Sequence, residues 1–212
     1  MDDTKILICC DKFKGSLDAH KVCKSISDGL VSSDSNLQVN IQPMADGGDG
    51  SLSVLKEQLQ LEAITSESVD PLGRTITAAY HINNAHGYIE LASASGIWRL
   101  QPNELDIMRT TTLGTGLLIN DALSKGCHTI SLFLGGSCTN DVGLGILYQL
   151  GYQFISASGE PLIPTGANLL DIKNIVKPST PINFTMNILC DCLLYTSPSP
   201  RDRTRSRMPS SA

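Results

Sequence analysis

Apolar positions fall into short runs separated by polar, glycine-containing turns. The runs at 4–10, 37–43 and 61–68 predict strands, and the segments between them predict helices at 16–31 and 50–59. In the first helix Val22, Ile26 and Leu30 share one face, and Ser16 is the expected N-cap. Strand and helix alternating in this way predict parallel strands. The texture then changes. Short strands are expected at 75–82 and 87–92, joined at Asn83-Asn84, with a helix at 113–125, a strand at 128–134, a helix at 140–150 and a strand at 152–155. Ile182, Phe184, Met186 and Ile188 alternate with polar or small neighbours, as in a half-buried strand over 182–189. A lobe boundary is placed at 69–74, on the Pro-Leu-Gly turn. This gives a first domain of 1–70, a second of 71–191 and a tail of 192–212.

Three of the turns follow predicted strands and carry polar groups. Gly135-Gly136-Ser137-Cys138-Thr139-Asn140-Asp141 lies between an apolar run and a helical pattern. Glycines let backbone N–H groups face an anion, and a helix N-terminus adds partial positive charge. Ser137, Thr139 and Asn140 add side-chain polar groups, and Asp141 is a candidate Mg²⁺ ligand. The competing reading is an ordinary glycine-rich helix cap. Met44-Ala45-Asp46-Gly47-Gly48-Asp49-Gly50 follows the second strand, and Asp11-Lys12-Phe13-Lys14-Gly15-Ser16 follows the first. Ligands of open α/β sheets bind outside the carboxyl ends of the strands, so the three turns are expected to share one cleft. Neither a Walker A pattern nor a clean G-x-G-x-x-G is present.

These motifs, with Asp70-Pro71-Leu72-Gly73-Arg74, Ile89–Gly96 and Thr110–Gly116, resemble in order those of bacterial-type glycerate kinases. Cys138, Val142 and Leu144 depart from the family's usual small residues, which changes packing near the turn and leaves its polar groups in place. The resemblance implies a two-lobed α/β fold with a Rossmann-like first lobe, incomplete here. It also implies transfer of a phosphoryl group from ATP to D-glycerate with Mg²⁺, with 2-phosphoglycerate favoured as product. It covers about the first half of a family member, up to Asp191, so the chain is expected to be truncated and inactive by itself. Alternatives are a fragment that binds ligand weakly, or a kinase of another small hydroxy acid or sugar.

Each candidate residue has two readings. Lys12 and Lys14 grip an anionic carboxylate or phosphate, or are a surface pair. Asp46 and Asp49 supply a base or a Mg²⁺ ligand, or belong to turn chemistry in which Asp tolerates unusual backbone angles. Asp141 is the other candidate for catalysis and for Mg²⁺. Asp11, Ser16, Gly47, Gly48, Gly135 and Gly136 are expected to line the site. Gly114 and Thr115 form either a second anion turn with Gly116 or a helix cap. Glu90 is expected to pair in a core or at a lobe interface. Trp98 and Arg99 are placed at the cleft or, preferably, in packing.

Composition narrows the partners. The 212 residues are 41% hydrophobic and 17% charged with a net charge of −5, as expected for a soluble globular chain. The tail holds four Arg and one Asp, so residues 1–191 are more acidic still, which argues against a nucleic-acid surface. No segment approaches the ~20 apolar residues needed to cross a bilayer, and no signal peptide is evident. The seven cysteines form no C-x-x-C and are read as reduced core residues of a cytoplasmic protein. Residues 192–212 are rich in Ser, Pro, Thr and Arg and begin inside a strand motif. They are read as non-native, disordered sequence rather than as a natural tail.

Overall fold

The computed structural model describes residues 4–13, 15–180 and 182–190. Lys14, Asp191 and the tail 192–212 lie outside the described residues. The fold is α/β, with three sheets among the described residues.

Strands β1 (Lys5–Ile8) and β2 (Gln38–Ile41) pair in parallel from Lys5↔Gln38 to Ile8↔Ile41. Helix α1 (Ala19–Ser33) connects them and buries Ala19, Val22 and Cys23. Asp18, not Ser16, is its N-cap, accepting a hydrogen bond from the Lys21 N–H. Ser16 is held one turn earlier, where the N–H groups of Ser16 and Leu17 both donate to the Phe13 carbonyl. Ile26, expected to face inward, is exposed, because a two-stranded sheet is too narrow to cover the whole helix.

Helix α2 (Ser51–Gln58) leads to β3 (Glu62–Val69), which leaves the parallel pair. It runs antiparallel to β4 (Thr75–Asn83) in a five-stranded sheet ordered β10-β6-β5-β4-β3. The expected parallel continuation is corrected by its turn. Gly73 has φ of 84°, its N–H donates to the Asp70 carbonyl, and the Asp70 carboxylate accepts from the N–H groups of Leu72 and Arg74. A connection this short joins only antiparallel neighbours. The change of sheet therefore falls between α2 and β3, ahead of 69–74.

The strand β5 (His86–Glu90) pairs antiparallel with β4, and β6 (Thr129–Phe133) and β10 (Thr185–Leu189) add in parallel beyond it. A short helix α3 (Ala92–Ser95) and a 3-10 turn (Ile97–Arg99) follow β5. Helix α4 (Leu113–Ser124) crosses to β6, and α5 (Leu144–Gln149) lies beside it. The third sheet joins β7 (Gln153–Ser156) to β8 (Pro161–Leu162) and β9 (Ile172–Val176).

Side-chain alternation splits the core between the two sheet faces. On one, Tyr80, Ile89, Ile130 and Leu132 pack with Leu118, Ile119 and Ala122 of α4 and with Ile146 and Leu150 near α5. On the other, Tyr88, Phe133 and Leu189 meet Leu52 and Leu55 of α2. Of the six described cysteines only Cys23 and Cys127 are buried, so the expectation of core cysteines holds for two of them.

The α4 glycines serve packing. A Cβ on Gly114 would lie 1.9 Å from the Val69 carbonyl oxygen, and one on Gly116 would lie 2.7 Å from Gln149 Cβ. Gly114→Ala therefore forces α4 off β3. It is expected to cost about 3 kcal/mol and to lower the urea midpoint by ~1 M or more. Gly29→Ala, on α1 with nothing within 4 Å of the new methyl, is expected to add about 0.5–1 kcal/mol. Equilibrium urea unfolding of both variants checks the contrast.

Candidate active site

The three glycine-containing turns converge. Lys12 Nζ lies 3.3 Å from Asp46 Oδ1, joining the turn after β1 to the turn after β2. Asp46 Oδ1 also accepts from the Gly48 N–H at 2.8 Å. The turn after β6 closes on the same point. The Gly135 N–H donates to the Gly47 carbonyl at 3.3 Å, and a Cβ on Gly135 would come 2.2 Å from Gly48 Cα. Gly136, with φ of 78°, faces Asp49, whose Cβ would be 3.4 Å from an added methyl. Lys12, Ser16, Asp46, Gly48, Asp49, Gly135 and Gly136 line a single cavity of about 660 Å³. Phe13, Ile97 and Trp98 form its apolar rim. The preferred assignment of Trp98 to packing is corrected, since the ring is 57% exposed in this wall. Asp11 does not line the cavity, and its carboxylate accepts from the Lys12 N–H at 2.6 Å.

Charge is unevenly distributed in the cleft. Burial opposes ionisation of Asp46, but the Gly48 N–H and the Lys12 ammonium outweigh it and hold the carboxyl below the usual range. Asp49 makes no hydrogen bond or ion pair with a described residue and is exposed to the cleft. Glu90, at the end of β5, is 8% exposed and accepts from the Leu52 N–H at 2.8 Å, capping the first turn of α2. Burial pushes its carboxyl up and nearby Asp49 adds to the shift, against the opposing Leu52 hydrogen bond. The sequence signal for Glu90 is a lone carboxylate between apolar Ile89 and Leu91. Its partner was not legible there, because a backbone N–H 38 residues away leaves no mark on composition.

Other expected residues lie elsewhere. Asp141 is 1% exposed. Its Oδ2 accepts from Thr111 Oγ1, the Thr112 N–H and Oγ1, and the Gly145 N–H, and its Oδ1 accepts from the Gly143 N–H. Four of these five bonds fall on Oδ2, so Asp141 acts as a structural hub, and it lines the second groove rather than the Lys12–Asp46 cleft where catalysis and Mg²⁺ binding were expected of it. Ser137 and Thr139 hydrogen-bond to each other. With Asn140 they face a separate groove of about 690 Å³ walled by Leu132, Met186 and Ile188. The turn is thus divided, with Gly135-Gly136 in the cleft and its remainder outside. Gly114 and Thr115 are buried, and Thr115 Oγ1 bonds to Ser95 Oγ at 2.8 Å, so the second anion turn is not formed. Among the described residues no group of three or more His, Cys, Asp and Glu could hold a metal ion. Asp46 and Asp49 share one turn and line the cleft, as does Asp18, which is paired with Lys21.

A family model described as the glycerate kinase family matches residues 6–194. A glycerate kinase of Bacillus cereus is 36% identical over 173 residues, covering 81% of this chain and 45% of that protein. The glycerate 2-kinase of Escherichia coli K12 is 33% identical over 173 residues, with the same coverage. A crystal structure from Salmonella typhimurium LT2, described as glycerate kinase 2, superposes with a TM-score of 0.73 at 28% identity. It matches 96% of this chain and 60% of that one. The chain spans about half the length of the curated relatives it matches. No helix among the described residues is long and apolar enough to cross a membrane.

Two expectations follow from this geometry. Asp141→Asn places an N–H₂ or an uncharged oxygen among the donors and is expected to cost about 3 kcal/mol, while exposed Asp46→Asn stays within about 0.5 kcal/mol. Chemical denaturation of the two variants separates the hub from the cleft residue. For Glu90 the folded pKa is raised, so the folded chain holds the proton more tightly than the unfolded chain. The stability this gives is complete below the unfolded value of ~4.3 and is lost as pH rises through the folded value. Glu90→Gln keeps an acceptor for Leu52 and does not ionise. Its melting temperature relative to the parent chain should climb as pH rises from about 4 through the raised folded value. A difference that stays level across that range would show that Glu90 titrates as an ordinary carboxyl.

Proposed function

The chain belongs to the glycerate kinase family, and on that premise we propose that its cleft serves ATP-dependent phosphorylation of D-glycerate, with 2-phosphoglycerate as product. The observation that carries this reading is the meeting of three glycine turns around the Lys12–Asp46 pair. Phosphoryl transfer depends mainly on positioning and charge neutralisation, and the cleft offers both. Lys12 is held by Asp46 and directed at the cavity, where it grips a phosphate or the glycerate carboxylate. Gly48 and Gly135 permit close approach because a side chain on Gly135 would strike Gly48 and one on Gly48 would strike the Asp46 carboxylate.

Asp49 is assigned to the substrate hydroxyl, whose proton it is free to accept. Asp46 and Asp49 together suit Mg²⁺, which takes one or two carboxylates and completes its shell with water and phosphate oxygens. Bound there, the ion would neutralise phosphate charge. The likeness to a glycerate 2-kinase supports transfer to the 2-hydroxyl. A second reading is that the chain as it stands binds these ligands without turning them over. Its support is the chain's coverage of about half the length of its relatives.

The test is a coupled ADP-release assay on the purified chain with ATP, Mg²⁺ and D-glycerate, with the product identified by ³¹P NMR. Turnover that depends on D-glycerate and gives the 2-phosphate supports the first reading. Lys12→Ala is expected to raise KM, and Asp49→Asn to lower kcat by ~10²–10³, the scale of one transition-state electrostatic contact. Binding without turnover, weakened by Lys12→Ala, selects the second reading. If Lys12→Ala changes neither binding nor rate, the cleft is not the site.

A further inference from the structure

We propose that the apolar rim of the cleft seats the nucleobase of the phosphate donor, with Trp98 as its stacking platform and Phe13 as a flanking wall. This rests on the nucleotide reading of the same cleft. The cavity is divided in character. Lys12, Asp46 and the Gly135-Gly136 turn form its polar part, and Phe13, Ile97 and Trp98 its exposed apolar part. Phe13 is 61% exposed and Trp98 57%, so two aromatic side chains stand largely in water in the cleft that holds Lys12. Glycerate is small and has no flat apolar face to cover them. A nucleotide carries a flat ring at one end and anionic groups at the other, which matches the division.

Trp98 is held in place before any ligand arrives. The Arg99 guanidinium stacks 4.2 Å from its ring centroid. Arg99 is itself fixed by hydrogen bonds from Nε and Nη2 to the Ser93 carbonyl. The backbone of this turn is fastened to the phosphate-side turn, since the Ile97 N–H donates to the Gly136 carbonyl at 2.9 Å. Gly96 and Ser137 form an antiparallel bridge beside it. The backbone that carries the indole is therefore tied directly to the Gly135-Gly136 turn. A ring stacked on Trp98 is delivered at a fixed offset from Lys12. The guanidinium backing lowers the entropy lost on stacking, because the indole is already oriented. Phe13 is set by its own tight turn, in which its N–H and carbonyl both bond to Leu17. Stacking reads the face of a base rather than its edge, so the rim suits a purine without selecting its substituents.

Trp98 is the single tryptophan of the chain, so its fluorescence reports this site alone. The full chain is titrated with ADP, with inorganic tripolyphosphate and with D-glycerate, following emission and, in parallel, binding by calorimetry. ADP is expected to quench Trp98, while tripolyphosphate binds without quenching. Trp98→Leu should weaken ADP binding by about tenfold or more, the scale of one base–aromatic stack. It should leave tripolyphosphate affinity within about twofold, because that probe has no ring to stack. Trp98→Phe should restore most of the ADP affinity, and Phe13→Leu should weaken it less than Trp98→Leu does. ADP binding that depends on Lys12 but is indifferent to Trp98→Leu would overturn the rim assignment and leave the proposed function standing. Equal quenching by tripolyphosphate, or quenching by D-glycerate alone, would also overturn it. Absence of ADP binding overturns the rim assignment and counts against the nucleotide reading as well.

Discussion

Gly135 and Gly48 meet backbone to backbone, so closely that a methyl on Gly135 would lie 2.2 Å from Gly48 Cα. No side chain fits between them. That contact joins the two-stranded parallel sheet to the five-stranded one at the point where the cleft opens. The hydrogen bond from the Gly135 N–H to the Gly47 carbonyl fixes the register of the join. Glycine is required because the chain itself is the packing surface, and Gly47 also takes a φ of 84°. Without this approach Lys12, Asp46 and Asp49 would still be close to one another, but they would not share a cavity with Gly136 or Trp98.

The strands explain why the polar groups gather there. β1 leads to Asp11-Lys12, and β2 leads to Asp46–Asp49. β5 ends at Glu90, β6 leads to Gly135, and the end of β10 lies against Gly47. Five carboxyl ends from two sheets point into one region, the location at which parallel α/β sheets take ligands. The region is also tied together by polar contacts between distant segments. Glu90 caps α2 from the neighbouring sheet, so the helix that follows the Asp46–Asp49 turn is held by a residue of the larger core. Its buried carboxyl lies close enough to Asp49 to be raised by it, which places a second electrostatic influence behind the cleft.

Asp141 shows how a buried carboxylate can organise a fold. Five donors from Thr111, Thr112, Gly143 and Gly145 surround it, linking the start of α4 to the start of α5. To bring the Gly143 and Gly145 N–H groups inward the chain takes left-handed conformations at Val142 and Gly143, with φ of 56° and 75°. For a β-branched residue this is an unfavourable conformation, and Val142 is 80% exposed, so no burial of its side chain offsets the strain. The tight turn consumes residues 140–143. This is why α5 begins at Leu144 rather than where the apolar pattern suggested.

The sequence determined the short-range features of this protein. Apolar periodicity located most of the strands and helices, though not α3, β8 or β9, and glycine and aspartate at strand ends marked the turns, because both signals act over a few residues. The six ordered motifs also carried the family resemblance. Tertiary structure decided which turns meet. Lys12 and Asp46 are 34 residues apart in the chain, and the contact of Gly135 with Gly48 spans many more. It also decided direction, sending Gly135-Gly136 into the cleft and Asp141 into the core, although all three sit in one heptapeptide. Residue type does not encode that division, because a carboxylate serves equally well as a ligand or as a hub. The outcome depends on which donors the surrounding segments bring within ~3 Å. The same holds for Trp98, whose exposure is set by Arg99 and by the turn that fastens it to Gly136.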